Sequence, residues 1–268
     1  MKTPQTVSRF LHFASRLPGF RGWTRLLYGK ENKRFEKEVM GIRFRHPVGL
    51  APGFDRNGSL TDELSQLGFS FIGVETGNLD AKAIIENLGN RDQKTKVFAK
   101  LQVAGVSEEA ARKDASRCFA LYYDFVDFFV IHGGIAGMSA LDDDLSGLSE
   151  LLEELIDLRL CYDQYTPILI RIPERFDPEQ VRQLLDFCQL SGIDGVVVSG
   201  VTRIRDIIAQ TKGRLPVIGT GSIEKPEEAI ELLEAGASLV EVGSGFLHVG
   251  SRLPQRILKL LEKQSVTI

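Results

Sequence analysis

Two glycine-rich stretches near the C-terminus carry the most specific chemistry in this sequence. Val217-Ile218 runs into Gly219-Thr220-Gly221-Ser222, and the apolar run Leu239 to Val242 ends in Gly243-Ser244-Gly245. Glycines after two successive strands let a ligand approach the backbone, and the N–H groups of such turns suit a phosphate. The same glycines also meet the steric needs of strand-to-helix turns, so the spacing favours a phosphate cradle without requiring one. Other polar residues fall at or near the ends of apolar runs: Asp55 and Arg56, Glu75 and Thr76, Lys100, His132, Arg171 and Ser199. A charge inside an apolar strand is costly unless it is paired. Lys100 and Arg171 therefore face an anionic ligand or a carboxylate such as Glu75, or else lean outward with their heads in water. Arg171, between Ile170 and Ile172, reads as a ligand or ion-pair residue. For Lys100 the inward and outward readings stand level. His132 can serve as acid, base or hydrogen-bond donor at its strand end, although a lone histidine also fills structural roles.

Such a ring of residues needs strands that all point the same way, and the apolar patterning supplies them. Apolar runs ending at Ala51, Val74, Val103, Ile131, Ile172, Val198, Ile218 and Val242 read as eight strands. Helical stretches separate them, at about Ser59 to Leu67, Ala81 to Leu88, Ser107 to Tyr123, Leu148 to Leu160, Pro178 to Leu190, Ile204 to Gln210 and around Pro226 to Leu233, with Pro254 to Glu262 closing the chain. Pro52 to Gly58 reads as a loop, and Gly68, Gly192 and Gly236 stop helices. Continuous apolar strands alternating with helices predict a parallel sheet buried on both faces, here an α/β fold, a single (β/α)8 TIM barrel over residues 31–268. In that fold chemistry sits at the C-terminal strand ends, which is where the polar residues fall.

The chain has 268 residues, 43% hydrophobic, with a net formal charge of −3. That suffices for one barrel-sized core, and the mild acidity makes no electrostatic case for nucleic acid. Cys118, Cys161 and Cys188 lack any C-x-x-C spacing and read as reduced core or helix residues, with no metal site expected. Residues 1–30 differ in kind. Lys2, Arg9, Arg16, Arg21, Arg25 and Lys30 are unaccompanied by any acid and are interleaved with Phe, Leu and Trp23. The apolar runs are too short to span a bilayer. Pro18-Gly19 splits the segment into two short helices. Such a helical extension either lies on a membrane surface or packs across one end of the barrel. The expected location is cytoplasmic, with peripheral contact to the inner face of the membrane.

The stretch from Pro47 to Gly58, PVGLAPGFDRNG, resembles the dihydroorotate dehydrogenase motif PVGLAAGFDKNG. Gly213 to Ile223 resembles the same family's GRLPIIGVGGI, and Ala235-Gly236-Ala237-Ser238-Leu239-Val240 through Gly245-Phe246 to Gly250 is a third match. Shorter similarities lie at Asp127 to Ile131, Pro167 to Ile172 and Gly192 to Val198. The basic segment ending Leu26-Leu27-Tyr28-Gly29 looks like the back half of the extension that forms a quinone tunnel in the membrane-associated, quinone-reducing class. The resemblance spans nearly the whole chain. It implies FMN as cofactor and oxidation of dihydroorotate to orotate, the redox step of pyrimidine biosynthesis. FMN-binding positions carry over to Gly219, Gly221, Ser222, Gly243, Ser244 and Gly245 for the phosphate. Ala51, Gly53 and Thr76 match positions beside the flavin, Arg171 stands where the family has lysine, and Ser199 completes the ring at the end of the sixth strand. Arg56 replaces the lysine of the family's FDKNG.

The substrate side departs from that pattern. The family's NISSPN after the fourth strand becomes a stretch in which, counted without gaps, His132 stands for asparagine and Ile135 for the serine base. Its NRMGFNN becomes Glu86 to Asp92, and two further asparagines fall at Ala99 and Gly200. A polar pyrimidine would leave groups unpaired in such a site. The expectation is an FMN oxidoreductase with altered or lost orotate recognition, with His132 and Arg56 as candidate catalytic residues and quinone as a candidate acceptor. Two alternatives remain open on sequence: a non-redox barrel binding FMN or another phosphorylated ligand, and a phosphate-handling lyase or isomerase using Lys100, Glu75 or His132.

Overall fold

The computed structural model describes residues 33–76, 81–92, 94–101, 108–132 and 146–264. Two short strands, β1 (Lys37–Val39) and β2 (Ile42–Phe44), form an antiparallel hairpin. Eight parallel strands follow: β3 (Val48–Asp55), β4 (Phe71–Glu75), β5 (Lys96–Leu101), β6 (Phe128–His132), β7 (Ile168–Arg171), β8 (Gly195–Ser199), β9 (Val217–Gly221) and β10 (Leu239–Val242). They close in the order β10-β3-β4-β5-β6-β7-β8-β9, so β10 pairs back onto β3 and the expected barrel is formed. The intervening helices are α1 (Thr61–Gln66), α2 (Ala81–Gly89), α3 (Glu108–Tyr122), α4 (Ser146–Arg159), α5 (Pro178–Ser191), α6 (Val201–Thr211) and α7 (Pro226–Glu234). α8 (Gly245–Val249) and α9 (Leu253–Gln264) end the described chain.

Strand alternation sorts the apolar residues into two cores. Outward residues such as Leu50, Ile72, Val97, Ile131, Ile170 and Val240 pack under the helices. Inward residues such as Phe71, Phe98, Phe128, Leu169, Ile218 and Leu239 fill the barrel. The hairpin closes the N-terminal end: Phe44 is fully buried and meets Phe71 and Phe128 edge-on at 5.5 and 6.2 Å between ring centroids. The same end is clasped by two similar carboxylates. Asp127 accepts the backbone N–H of Val97 and the Arg91 guanidinium, and Asp194 accepts the backbone N–H of Ile168 and the Arg159 guanidinium.

Three local features differ from the sequence expectation. The hairpin that precedes the first barrel strand has no counterpart among the expected elements: Phe44 belongs to it, and β3 starts at Val48. Pro52 to Asp55 is strand, not loop. The register against β4 passes from Leu50 opposite Ile72 to Asp55 opposite Val74, so a bulge holds the extra β3 residues. Beyond Gly243, the last glycine turn opens directly into α8. Residues 1–30, read as a helical extension, lie outside the described residues. Among the described residues no helix is long and apolar enough to cross a membrane.

Candidate active site at the barrel mouth

The inward alternation that packs phenylalanines low in the barrel puts polar residues at its C-terminal end. Glu75 pairs in register with Lys100, His132 with Arg171, Ser199 with Thr220, and Thr220 with Glu241. Lys100, His132, Arg171 and Glu241 line one small cavity together with Pro52, Phe98 and Val130. Lys100 therefore points inward, which decides between the two readings its sequence position allowed. Arg171 also points in, with Nη1 3.7 Å from Oε1 of Glu241.

His132 is half-buried among cations. Burial, then the charges of Lys100, Arg171 and Arg175, push its imidazole down to about 4, so the ring is neutral near neutral pH. Glu241 has the opposite character. It is 1% exposed, and burial pushes its carboxyl up to about 7 against the opposing pull of Arg171, Lys100 and the Thr220 hydroxyl. Its Oε1 has no hydrogen-bond partner. In sequence, Leu239 to Val242 reads as a plain apolar strand, although Glu241 carries the same signal as Lys100 and Arg171, a charge within a barrel strand.

The β3 bulge forms one side of the mouth. Gly53 holds φ +108°, a conformation open to glycine at little cost, and its Cα faces the Glu75 carboxylate with a Cβ position 3.9 Å from Oε1. Ala51 and Gly53 are both partly exposed there. Pro52 fills the space that the absent side chain of Gly73 leaves above Phe98. Arg56 sits at the rim, 53% exposed, with Nε 3.7 Å from Oε2 of Glu75. Asp55 does not join the mouth. It is fully buried, accepts the Leu60 N–H at 3.0 Å, and is pushed up to about 7, chiefly by burial.

On the other side the two glycine turns lie next to each other, because Gly221 pairs with Val242. A hydrogen bond of 3.1 Å joins the Ser222 and Ser244 hydroxyls across them, both exposed. The glycines divide by role. A Cβ on Gly243 would stand 3.3 Å from the Gly221 carbonyl oxygen, so these two turns touch through backbone. Gly219 faces outward instead, where a Cβ would meet Leu232, Ala237 and Ile204 at 3.1 to 3.3 Å. A Cβ on Gly245 would overlap the Ile223 carbonyl. Packing alone accounts for glycine at both of these positions. Thr76 is placed in the barrel wall: it is fully buried and its hydroxyl donates to the Lys100 carbonyl at 3.0 Å, bracing β5. Ser199 ends β8 facing inward, with its Oγ 3.9 Å from the Cβ position of Gly221. Ile135, expected where the family has its base, lies outside the described residues.

The mouth thus offers paired hydroxyls at one side, a backbone bulge at the other, and a buried charge cluster between. Exposed hydroxyls beside two glycine turns at a barrel mouth are a surface that suits a phosphate. A family model described as dihydroorotate dehydrogenase matches residues 175–264. A dihydroorotate dehydrogenase (quinone) from Christiangramia forsetii is 29% identical over 287 aligned residues, covering 85% of this chain and 84% of that protein. One of the same name from Acinetobacter baumannii is 29% identical, covering 74% and 79%. Among solved structures, Eimeria tenella DHODH in complex with ferulenol superposes with a TM-score of 0.77 at 17% identity, covering 98% of this chain and 93% of that one. A mandelate oxidase mutant with a monooxide FMN adduct gives a TM-score of 0.59 at 15% identity, covering 86% and 76%. At those identities the structural matches speak for the fold.

Proposed function

We propose that this chain, similar over most of its length to quinone-reducing dihydroorotate dehydrogenases, is a member of that family and an FMN-dependent oxidoreductase with altered orotate recognition. The observation that carries this reading is the meeting of the Ser222–Ser244 hydroxyl pair with the Lys100, His132, Arg171 and Glu241 cluster at one barrel mouth. Ser222 and Ser244, with the backbone of Gly221 and Gly243, hold the phosphate. The backbone of Ala51 and Gly53 lies against the ring, and Arg171 and Ser199 contact it from the opposite strands. An arginine fork at 171 offers planar, paired donors where a lysine would offer a point charge. When bound, FMN supplies the two-electron acceptor.

The substrate is a small anion. Arg56 at the rim is the exposed cation positioned to meet it, and Glu75 holds that guanidinium in place. His132, neutral at working pH, stands in for the missing base. A low intrinsic basicity limits how much proton transfer it can drive, so its larger contribution is an oriented hydrogen bond. Altered recognition is supported by the strand ends themselves: among the described residues the inward layer of Glu75, Lys100, His132, Arg171, Ser199, Thr220 and Glu241 contains no asparagine. Quinone is the proposed acceptor, and residues 1–30 are proposed to contact the membrane surface.

Purified protein is expected to be yellow and to release FMN on denaturation. Colourless protein that no added FMN reconstitutes would overturn the cofactor assignment. Anaerobic mixing with dihydroorotate should bleach the bound flavin slowly or not at all, whereas rapid bleaching with turnover on a quinone would show ordinary orotate chemistry. His132→Ala retaining full turnover of an identified substrate would remove His132 from the mechanism.

A further inference from the structure

Glu241 is a buried carboxyl whose compensation comes from groups a ligand can reach. It stands on β10 between Thr220 on β9 and Gly49 on β3, and Gly49 brings no polar side chain. Across the barrel it faces Lys100 on β5, His132 on β6 and Arg171 on β7. Glu75 on β4 is turned to the rim, where it meets Arg56, and Arg175 bears on His132 from beyond β7. Among the described residues the one ion pair to Glu241 is the 3.7 Å approach of Arg171, and Oε1 has no hydrogen-bond partner. Arg171 is 32% exposed and Glu241 is 1% exposed. An anion entering the mouth therefore reaches Arg171 and Lys100 but never competes for solvent with Glu241.

A buried carboxylate that loses its counter-charges is strongly destabilised, and the least costly response is to become neutral. We propose that Glu241 is a ligand-linked proton site: an anion that seats against Lys100 and Arg171 is bound together with one proton, taken from solvent by the Glu241 carboxylate. The binding step balances as one anion and one proton in, with the ion pair to Arg171 exchanged for a neutral carboxylic acid beneath the ligand. The carboxyl of the free protein already titrates near neutrality, where this exchange has the most effect. By linkage, affinity for the anion falls with rising pH once Glu241 is ionised in the free protein, by up to about tenfold per pH unit. Only the use of this mouth as the ligand site rests on the functional reading above. The proton-binding residue does not.

The test is a carbon-13 titration of the glutamate carboxyls in wild type and Glu241→Gln, first without ligand, then with FMN, then with orotate as an anionic probe. Without ligand, one carboxyl is expected to titrate near neutrality and to be missing from the variant. Adding orotate should move its midpoint upward by a unit or more, and wild-type affinity for orotate should weaken above pH 7 while that of the variant stays flat; FMN, whose phosphate is placed at Ser222 and Ser244, reports on the cofactor alone. A carboxyl set that titrates wholly in the ordinary acidic range overturns the proposal. A near-neutral midpoint that bound orotate leaves unmoved overturns it as well. Flavin absorbance in the same samples reports separately on the functional reading: protein that refuses FMN but shows the shift with orotate keeps Glu241 in this role and loses the cofactor.

Discussion

At the mouth, proton affinity is divided between two residues by their surroundings. Burial comes first for both: together with three cations it keeps His132 neutral, and against the pull of the cations it keeps the Glu241 proton to near neutrality. The sign of the stability effect follows. With a folded value near 7 against an ordinary 4.5, folded protein holds more protons at Glu241 than unfolded protein between those limits, so stability falls as pH rises through that window. Glu241→Gln removes the ionisation and should raise the melting temperature at pH 8 relative to wild type, with little gain at pH 4.5. The shift sets a ceiling on the order of 3 kcal/mol, reduced by whatever Arg171 loses. Thermal scans at the two pH values check it, and a variant less stable than wild type at pH 8 would reverse the assignment. Sequence exposed three of the four members of this cluster, Lys100, His132 and Arg171. Lys100 and Arg171 stand out because long cations are conspicuous among isoleucines and leucines. Glu241 was equally conspicuous between Val240 and Val242, but its meaning depends on Arg171, seventy residues away in sequence and opposite in space.

At the level of elements, the strand-to-helix turns show why a motif match can be right in place and mixed in cause. Gly219, Gly221, Gly243 and Gly245 all read as phosphate glycines, yet Gly219 and Gly245 face packed protein. Sequence patterns record that glycine is required without recording what presses against it. The structure separates the two and ranks them. At Gly245 the obstacle is the rigid backbone carbonyl of Ile223, so Gly245→Ala must displace one of the two turns. At Gly219 the contacts of 3.1 to 3.3 Å are with the Leu232 and Ala237 Cβ atoms and the end of Ile204, so α6 and α7 can give by a few tenths of an ångström. Gly219→Ala should cost about 1 kcal/mol and leave FMN retention intact. Gly245→Ala should cost about 3 kcal/mol or more and, in whatever still folds, disturb the Ser222–Ser244 pair and loosen FMN. Urea unfolding with flavin content of the folded fraction distinguishes the two, and equal costs would contradict this ranking. The β3 bulge was hidden for a related reason: Pro52 and Gly53 read as loop residues, whereas the chain remains a strand that stores extra residues at the mouth.

For the molecule as a whole, eight strands and the direction of the chain were legible because a closed parallel barrel needs continuous apolar strands and helical returns, and both leave periodic marks. The plug at the other end left none. Its strands are three residues long, and its two-residue turn places Met40 at φ +55° before Gly41 at φ +74°. Both central residues at positive φ make a type I′ geometry usually marked by Asn-Gly or Asp-Gly, and a methionine there conceals it. The plug nevertheless holds the fold at a distance from the chemistry. Phe44 is fully buried against Phe71 and Phe128, and the layer containing Phe98, Val130 and Leu169 lies between it and the charged mouth. Phe44→Ala should therefore cost about 3–5 kcal/mol of stability through the cavity it leaves. In protein that remains folded, FMN affinity should change less than about twofold, since Phe44 packs against Phe71 and Phe128 at the barrel end opposite the cradle and the bulge. Denaturant unfolding and flavin titration on the same preparation give both numbers. A large loss of FMN affinity with little loss of stability would mean that the barrel ends are coupled through the phenylalanine layer, because a plug that only fills space cannot select against ligand binding at the opposite mouth.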